Sequence, residues 1–198
     1  LMTTYVVAII FLIITPGPGV LTTAGVGSAY GFRAGLAYMF GLVFGSLIVM
    51  SAVASGLAAI VFSVPFIRYI LLFASLSYLL YLAFRIATSG ARIAFVETDK
   101  PLGFMNGFAL SVINPKAYAV STTIFSGFPV LPNNPAVEAM VKIIIFASIS
   151  VPIHFIWLYA GASLKKLGLS GQAMRIINIC MALAMLSVVA LALYSSGI

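Results

Sequence analysis

The chain has very little charge. Of its 198 residues, three are Asp or Glu, ten are Lys or Arg, and charged residues make up 7% in all. A soluble domain carries about 25%, so an ordinary soluble fold, a disordered chain and a coiled coil are excluded. A single cysteine, Cys180, rules out an internal disulfide framework and a two-thiol relay. A single histidine, His154, with no carboxylate deep in an apolar run, leaves no metal-binding set, and nothing calls for a cofactor. The net charge of +7 does not indicate nucleic acid, because the cations punctuate long apolar runs instead of clustering on a polar face. What is abundant is apolar surface: 63% hydrophobic residues and a mean hydropathy of +1.23. A chain of this kind needs an extensive surface facing a lipid bilayer.

Charges divide the sequence into runs that predict six membrane spans, near 4–29, 36–62, 66–88, 104–127, 141–163 and 175–196. The runs are continuous, not alternating, which selects helices over a β-barrel. The polar stretch 89–101 reads as a linker, dividing one transmembrane domain into repeats 1–88 and 102–198. The N-terminus lacks the basic region of a signal peptide. Orientation follows from loop cations. Arg33, Arg85, Arg92, Lys100, Lys165, Lys166 and Arg175 fall on one side, which should be cytoplasmic, whereas Arg68 and Lys142 fall on the other. Both termini and the loop Phe128–Glu138 are then expected on the outer face, where Pro132, Asn133, Asn134 and Pro135 read as a turn. No Asp or Glu falls inside any expected span.

The first span is interrupted by Thr15-Pro16-Gly17-Pro18-Gly19 and the fourth by Asn114-Pro115-Lys116. Pro16 and Pro115 are 99 residues apart, half the chain. Each break follows about ten apolar residues, or ~15 Å of helix, which places both near the membrane midplane. Three spans per half force the second repeat to run inverted, and paired broken helices in inverted repeats point to a transporter's binding site. Each proline strands a carbonyl four residues earlier: Leu12, Ile14 and Ser111. Thr15-Pro16 and Asn114-Pro115 read as helix caps followed by proline in the first turn. The N–H groups of Gly17, Gly19, Val20, Lys116 and Ala117 then become candidate anion cradles. A zwitterion matches this pairing of donors and acceptors. One break alone reads more simply as a kink, a common feature of membrane helices.

Lys116 is a cation far from either connector and is expected to be a counter-ion for a carboxylate or a lock on facing carbonyls. His154 follows Pro152 in the fifth span. It is a candidate proton carrier, or else a neutral histidine bonded to a backbone carbonyl. Gly41, Gly45, Ser46 and Gly56 allow close helix packing, within the bundle or at a dimer contact. Tyr78 and Tyr81 read as interfacial or packing residues.

Thr15-Pro16-Gly17-Pro18, Gly31-Phe32-Arg33-Ala34-Gly35, Ser77-Tyr78-Leu79-Leu80-Tyr81-Leu82 and Asn114-Pro115-Lys116-Ala117 together resemble the lysine exporter and homoserine/threonine exporter (LysE/RhtB) family. The spacing covers nearly the whole chain, and the first and last motifs about 100 residues apart are the specific part. The sequence differs from the family pattern at Gly19, where members often carry Asn or Asp, and at Ser77, where many carry Gly. The resemblance implies a six-helix protein of the bacterial inner membrane that exports amino acids by proton antiport, with a homodimer as its assembly. The expected function is therefore a secondary transporter, not an enzyme. Thr15, Pro16, Gly17, Pro18, Gly19, Asn114, Pro115 and Lys116 are the expected substrate residues, and His154 the proton-coupling one. The alternative is a non-transporting accessory or assembly subunit built around the Gly-x-x-x-Gly face. A membrane-embedded enzyme lacks a nucleophile–base pair.

Overall fold

The computed structural model describes residues 2–15, 17–56, 101–131 and 133–173, with isolated residues between 63 and 84 and between 175 and 187. The described chain forms helices α1 (Met2–Ile14), α2 (Pro18–Tyr30), α3 (Phe32–Ala54), α4 (Phe104–Ile113), α5 (Pro115–Gly127) and α6 (Pro135–Lys166). Among the described residues, α3 and Pro135–Leu164 are long and apolar enough to cross a membrane. The pair α1 and α2 makes a third such span, bent by 54°, if counted as one. Most of the expected third and sixth spans, nearly all of the 89–101 linker, Pro16, Arg68, Tyr78, Tyr81, Arg85, Arg92 and Lys100 lie outside the described residues.

Local chemistry sets the helix ends. Gly17 caps α2 and Pro18 takes its first turn, so the cap falls two residues beyond the expected Thr15. Proline's fixed φ suits the first helical position, and of the two prolines it is Pro18 that occupies it. Gly31, at φ 89°, closes α2 and opens α3. The α3 helix begins earlier than expected and ends at Ala54, where Gly56 adopts φ 76°. Asn114 caps α5 through its side chain, which accepts from the Lys116 N–H at 3.0 Å, with Pro115 following as anticipated. Asn134 caps α6 in the same way through the Val137 N–H. The α6 helix therefore starts six residues before the expected span and takes Glu138 and Lys142 into its first turns. Lys142 is thus a fully buried helical residue, not a loop cation.

The helices pack closely through glycine. A Cβ on Gly41 would strike the Phe104 carbonyl, and one on Gly107 the Tyr38 carbonyl, so α3 and α4 meet backbone to backbone. Such contacts matter between helices in lipid, where van der Waals fit replaces water exclusion as the driving force. Gly41→Ala should lower stability by about 2 kcal/mol, read as the thermal midpoint of detergent-purified protein; an unmoved midpoint would disprove this close approach. A core of Tyr5, Ile9 and Ile13 from α1, Met50 from α3, Val120 and Ile124 from α5, and Phe146 and Ile153 from α6 fills one part of the bundle. The outer surface carries Phe11, Met105, Ile144 and Ile156, each at least 60% exposed, an apolar exterior suited to lipid.

Candidate functional site

The α1–α2 and α4–α5 junctions come together across the bundle. Lys116, in the first turn of α5, donates from Nζ to the Thr15 carbonyl at the end of α1. Its stem lies over Gly17: a Cβ there would sit 2.8 Å from Lys116 Cδ, so the glycine makes room for the lysine. Gly17, Gly19, Asn114, Lys116 and His154 all line one cavity of about 60 Å³, together with Leu12, Leu42, Ser46, Ser111 and Ser121. Residues from both halves of the sequence thus share one space.

The remaining expected residues play other parts. Thr15 contributes its carbonyl, while its hydroxyl turns back to the Phe11 carbonyl at 2.6 Å. Pro18 is buried at the start of α2, and Pro115 starts α5. Two expectations about backbone groups change. The Lys116 N–H is taken by the Asn114 side chain and the Ala117 N–H by the Asn114 carbonyl at 3.0 Å. The second anion cradle is therefore closed by its own cap. The Ser111 carbonyl likewise accepts from the Asn114 N–H at 3.2 Å. At the other junction, the first helical bond of α2 runs from Leu21 to the Gly17 carbonyl. The N–H groups of Gly19 and Val20 precede it, in the turn that faces the cavity.

Polar ties hold this frame. Tyr38 donates to Thr22 at 2.8 Å, and Thr22 and Thr23 bond back to the Pro18 and Gly19 carbonyls. Ser111 donates to the Leu42 carbonyl at 2.6 Å and lies 3.2 Å from the Ser46 hydroxyl. His154 is 7% exposed, and its Nδ1 lies 2.8 Å from the Ser150 carbonyl. A carbonyl only accepts, so Nδ1 carries a proton, and in the neutral ring the lone pair is on Nε2. That nitrogen faces Gly19, 3.9 Å from where a Cβ would stand.

A second buried polar group was not anticipated. Lys142 Nζ pairs with Glu138 at 2.6 Å, lies 5.3 Å from the centre of the Phe125 ring and 5.9 Å from that of Tyr5, and reaches the Phe125 carbonyl at 3.5 Å. Glu138 also accepts from the Val130 and Leu131 N–H groups, and Tyr5 donates to the Lys142 carbonyl at 3.0 Å. The cluster ties α1, α5, the backbone at Val130 and Leu131, and α6 together. The i,i+4 spacing of Glu138 and Lys142 was its one signal in the sequence.

The family model described as "LysE type translocator" matches residues 10–196. A "Cysteine/O-acetylserine efflux protein" of Escherichia coli O6:K15:H31 (strain 536 / UPEC) is 31% identical over 170 residues, covering 85% of each chain. A protein of the same description from Salmonella typhi is 32% identical over 149 residues, 75% of each chain. No solved structure matches. A helical chain with an apolar exterior, glycine-packed helices and a polar cavity between two proline-marked junctions belongs, by this match across almost its whole length, to the LysE type translocator family of membrane transporters and is not an enzyme.

Proposed function

We propose that this protein exports amino acids or close derivatives across the bacterial inner membrane. The observation that carries the reading is Lys116 bridging to the Thr15 carbonyl, which puts a cation and two helix junctions on one cavity. An ammonium has three donors, so Lys116 can hold Thr15 and still meet a substrate carboxylate. The N–H groups of Gly19 and Val20 add to the anion side. The substrate ammonium is assigned to other acceptors among the cavity-lining residues, such as the Leu12 carbonyl and the Ser46 and Ser121 hydroxyls. The relatives' printed function, efflux of cysteine and O-acetylserine, supports a small zwitterion as cargo.

The chain forms six spans as a 3+3 inverted repeat, residues 1–88 and 102–198, joined by a cytoplasmic linker at 89–101. The junctions in spans one and four lie near the membrane midplane, and both termini face outward. Transport is proton antiport with His154 as carrier, supported by its burial beside the cavity. The functional unit is a homodimer in the bilayer. An accessory subunit would need no cavity of this polarity.

The test is efflux of labelled amino acids from loaded cells, with and without the gene, and with a protonophore added. Gene-dependent efflux that the protonophore stops is the expected result. Absence of gene-dependent efflux for every amino acid would overturn the export reading. Efflux indifferent to the protonophore would overturn only the proton coupling.

A further inference from the structure

We infer that the corner of the cavity between Gly19, Leu42 and His154 receives the substrate's side chain, and that His154 Nε2 accepts a hydrogen bond there from a side-chain hydroxyl or thiol. The inference rests on the export reading and adds the choice among amino acids to it.

Two independent observations meet at this corner. The first is space. A helical glycine costs stability relative to alanine, and close packing explains Gly41, Gly45, Gly107 and Gly161, whose Cβ atoms would run into neighbouring backbone. Gly19 has no such reason. A Cβ on it would meet only Leu42 Cδ2 at 3.8 Å and His154 Nε2 at 3.9 Å, both ordinary contacts. Its backbone is helical, with no positive φ. The room it leaves belongs to the cavity.

The second observation is an unused acceptor. His154 is more than nine-tenths buried, and Nδ1 is committed to Ser150. Among the described residues Nε2 has no hydrogen-bond partner, although it faces the cavity at Gly19. Nε2 is open to the cavity and so free to take a donor from a bound substrate, and a site that bonds a hydroxyl discriminates strongly against an analogue lacking it. With its lone pair directed inward, Nε2 favours serine-like and cysteine-like side chains over alanine. An O-acyl side chain offers it only further acceptors, and is longer.

The experiment is substrate counterflow with the full chain in liposomes, run without an ion gradient so that proton coupling does not enter. The probes are labelled glycine, L-alanine, L-serine and O-acetyl-L-serine. Wild-type protein should exchange L-serine over L-alanine by about fivefold, and O-acetyl-L-serine less well than L-serine. His154→Phe should bring the serine-to-alanine ratio near one, while His154→Gln, whose amide oxygen accepts, should keep part of it. Gly19→Ala should raise the thermal midpoint, since it removes a helical glycine without a clash, yet lower L-serine exchange relative to glycine. If His154→Phe is lost from the membrane, the Gly19→Ala ratio decides alone. Equal exchange of L-serine and L-alanine by wild type, or ratios unmoved in the variants, would overturn the corner assignment and leave export intact. Wild-type protein that exchanges none of the probes would overturn export and this inference together.

Discussion

Lys116→Ala should reduce export by about 10- to 100-fold, the loss expected for one charge-assisted hydrogen bond to a substrate carboxylate. The lysine also joins the two junctions through the Thr15 carbonyl, so its removal leaves that acceptor without its donor. Lys116→Arg should not rescue. The ammonium is compact and lies over Gly17, where even one added carbon on the glycine would come within 2.8 Å of the lysine stem. A planar guanidinium is wider and places its donors elsewhere, so export should stay at least about tenfold down. Gly17→Ala should resemble Lys116→Arg, because it displaces the same side chain from the other direction. The measurement is the initial rate of labelled amino-acid efflux, corrected for the amount of protein in the membrane. Full-rate export by Lys116→Ala at normal abundance would remove this residue from the site.

The largest effect on stability is expected at the Glu138–Lys142 pair, and it should be asymmetric. Lys142 is fully buried, and Glu138 is the partner that balances its charge. Glu138→Gln leaves that cation with the Phe125 carbonyl at 3.5 Å and two aromatic rings. Breaking a buried pair in this way costs about 3–5 kcal/mol. For a chain of this size that corresponds to a thermal midpoint lower by roughly 10 °C. Lys142→Met removes the buried charge instead. It leaves a carboxylate that is 12% exposed and still accepts from the Val130 and Leu131 N–H groups, so the loss should be smaller. The double variant should recover much of what Glu138→Gln loses. Equal small shifts in the two single variants would show that the pair is not the keystone of this end of the bundle.

Much of the site was legible because proline and glycine act locally. A proline removes one N–H and fixes one φ wherever the chain goes, so Thr15–Gly19 and Asn114–Lys116 announce helix junctions without any knowledge of their neighbours. The Asn114 cap followed as expected. At the first junction the choice between Pro16 and Pro18 was not readable, since both satisfy the same local rule, and Gly17 with Pro18 provides the helix start. The anion cradle expected at Lys116 and Ala117 failed for a local reason that counting free N–H groups overlooks: the Asn114 side chain and carbonyl take both donors.

Composition alone determined that this is a helical membrane chain with no internal disulfide, and the matched motifs pointed to its family. Tertiary packing decided what those residues do together. Lys116 and Thr15 are 101 residues apart, and only the packing of α1, α2 and α5 brings them into one hydrogen bond. Lys142, read as a loop cation, became a buried partner because an asparagine cap seven residues upstream of the expected span lengthened α6 and drew the pair inside. His154 satisfies Nδ1 within its own helix, a local bond, but the direction of Nε2 toward Gly19 depends on how α6 lies against α2. Backbone rules are local and can be read along the chain. The partners of a buried charge or a lone pair depend on distances across the bundle, which are set only when the helices pack.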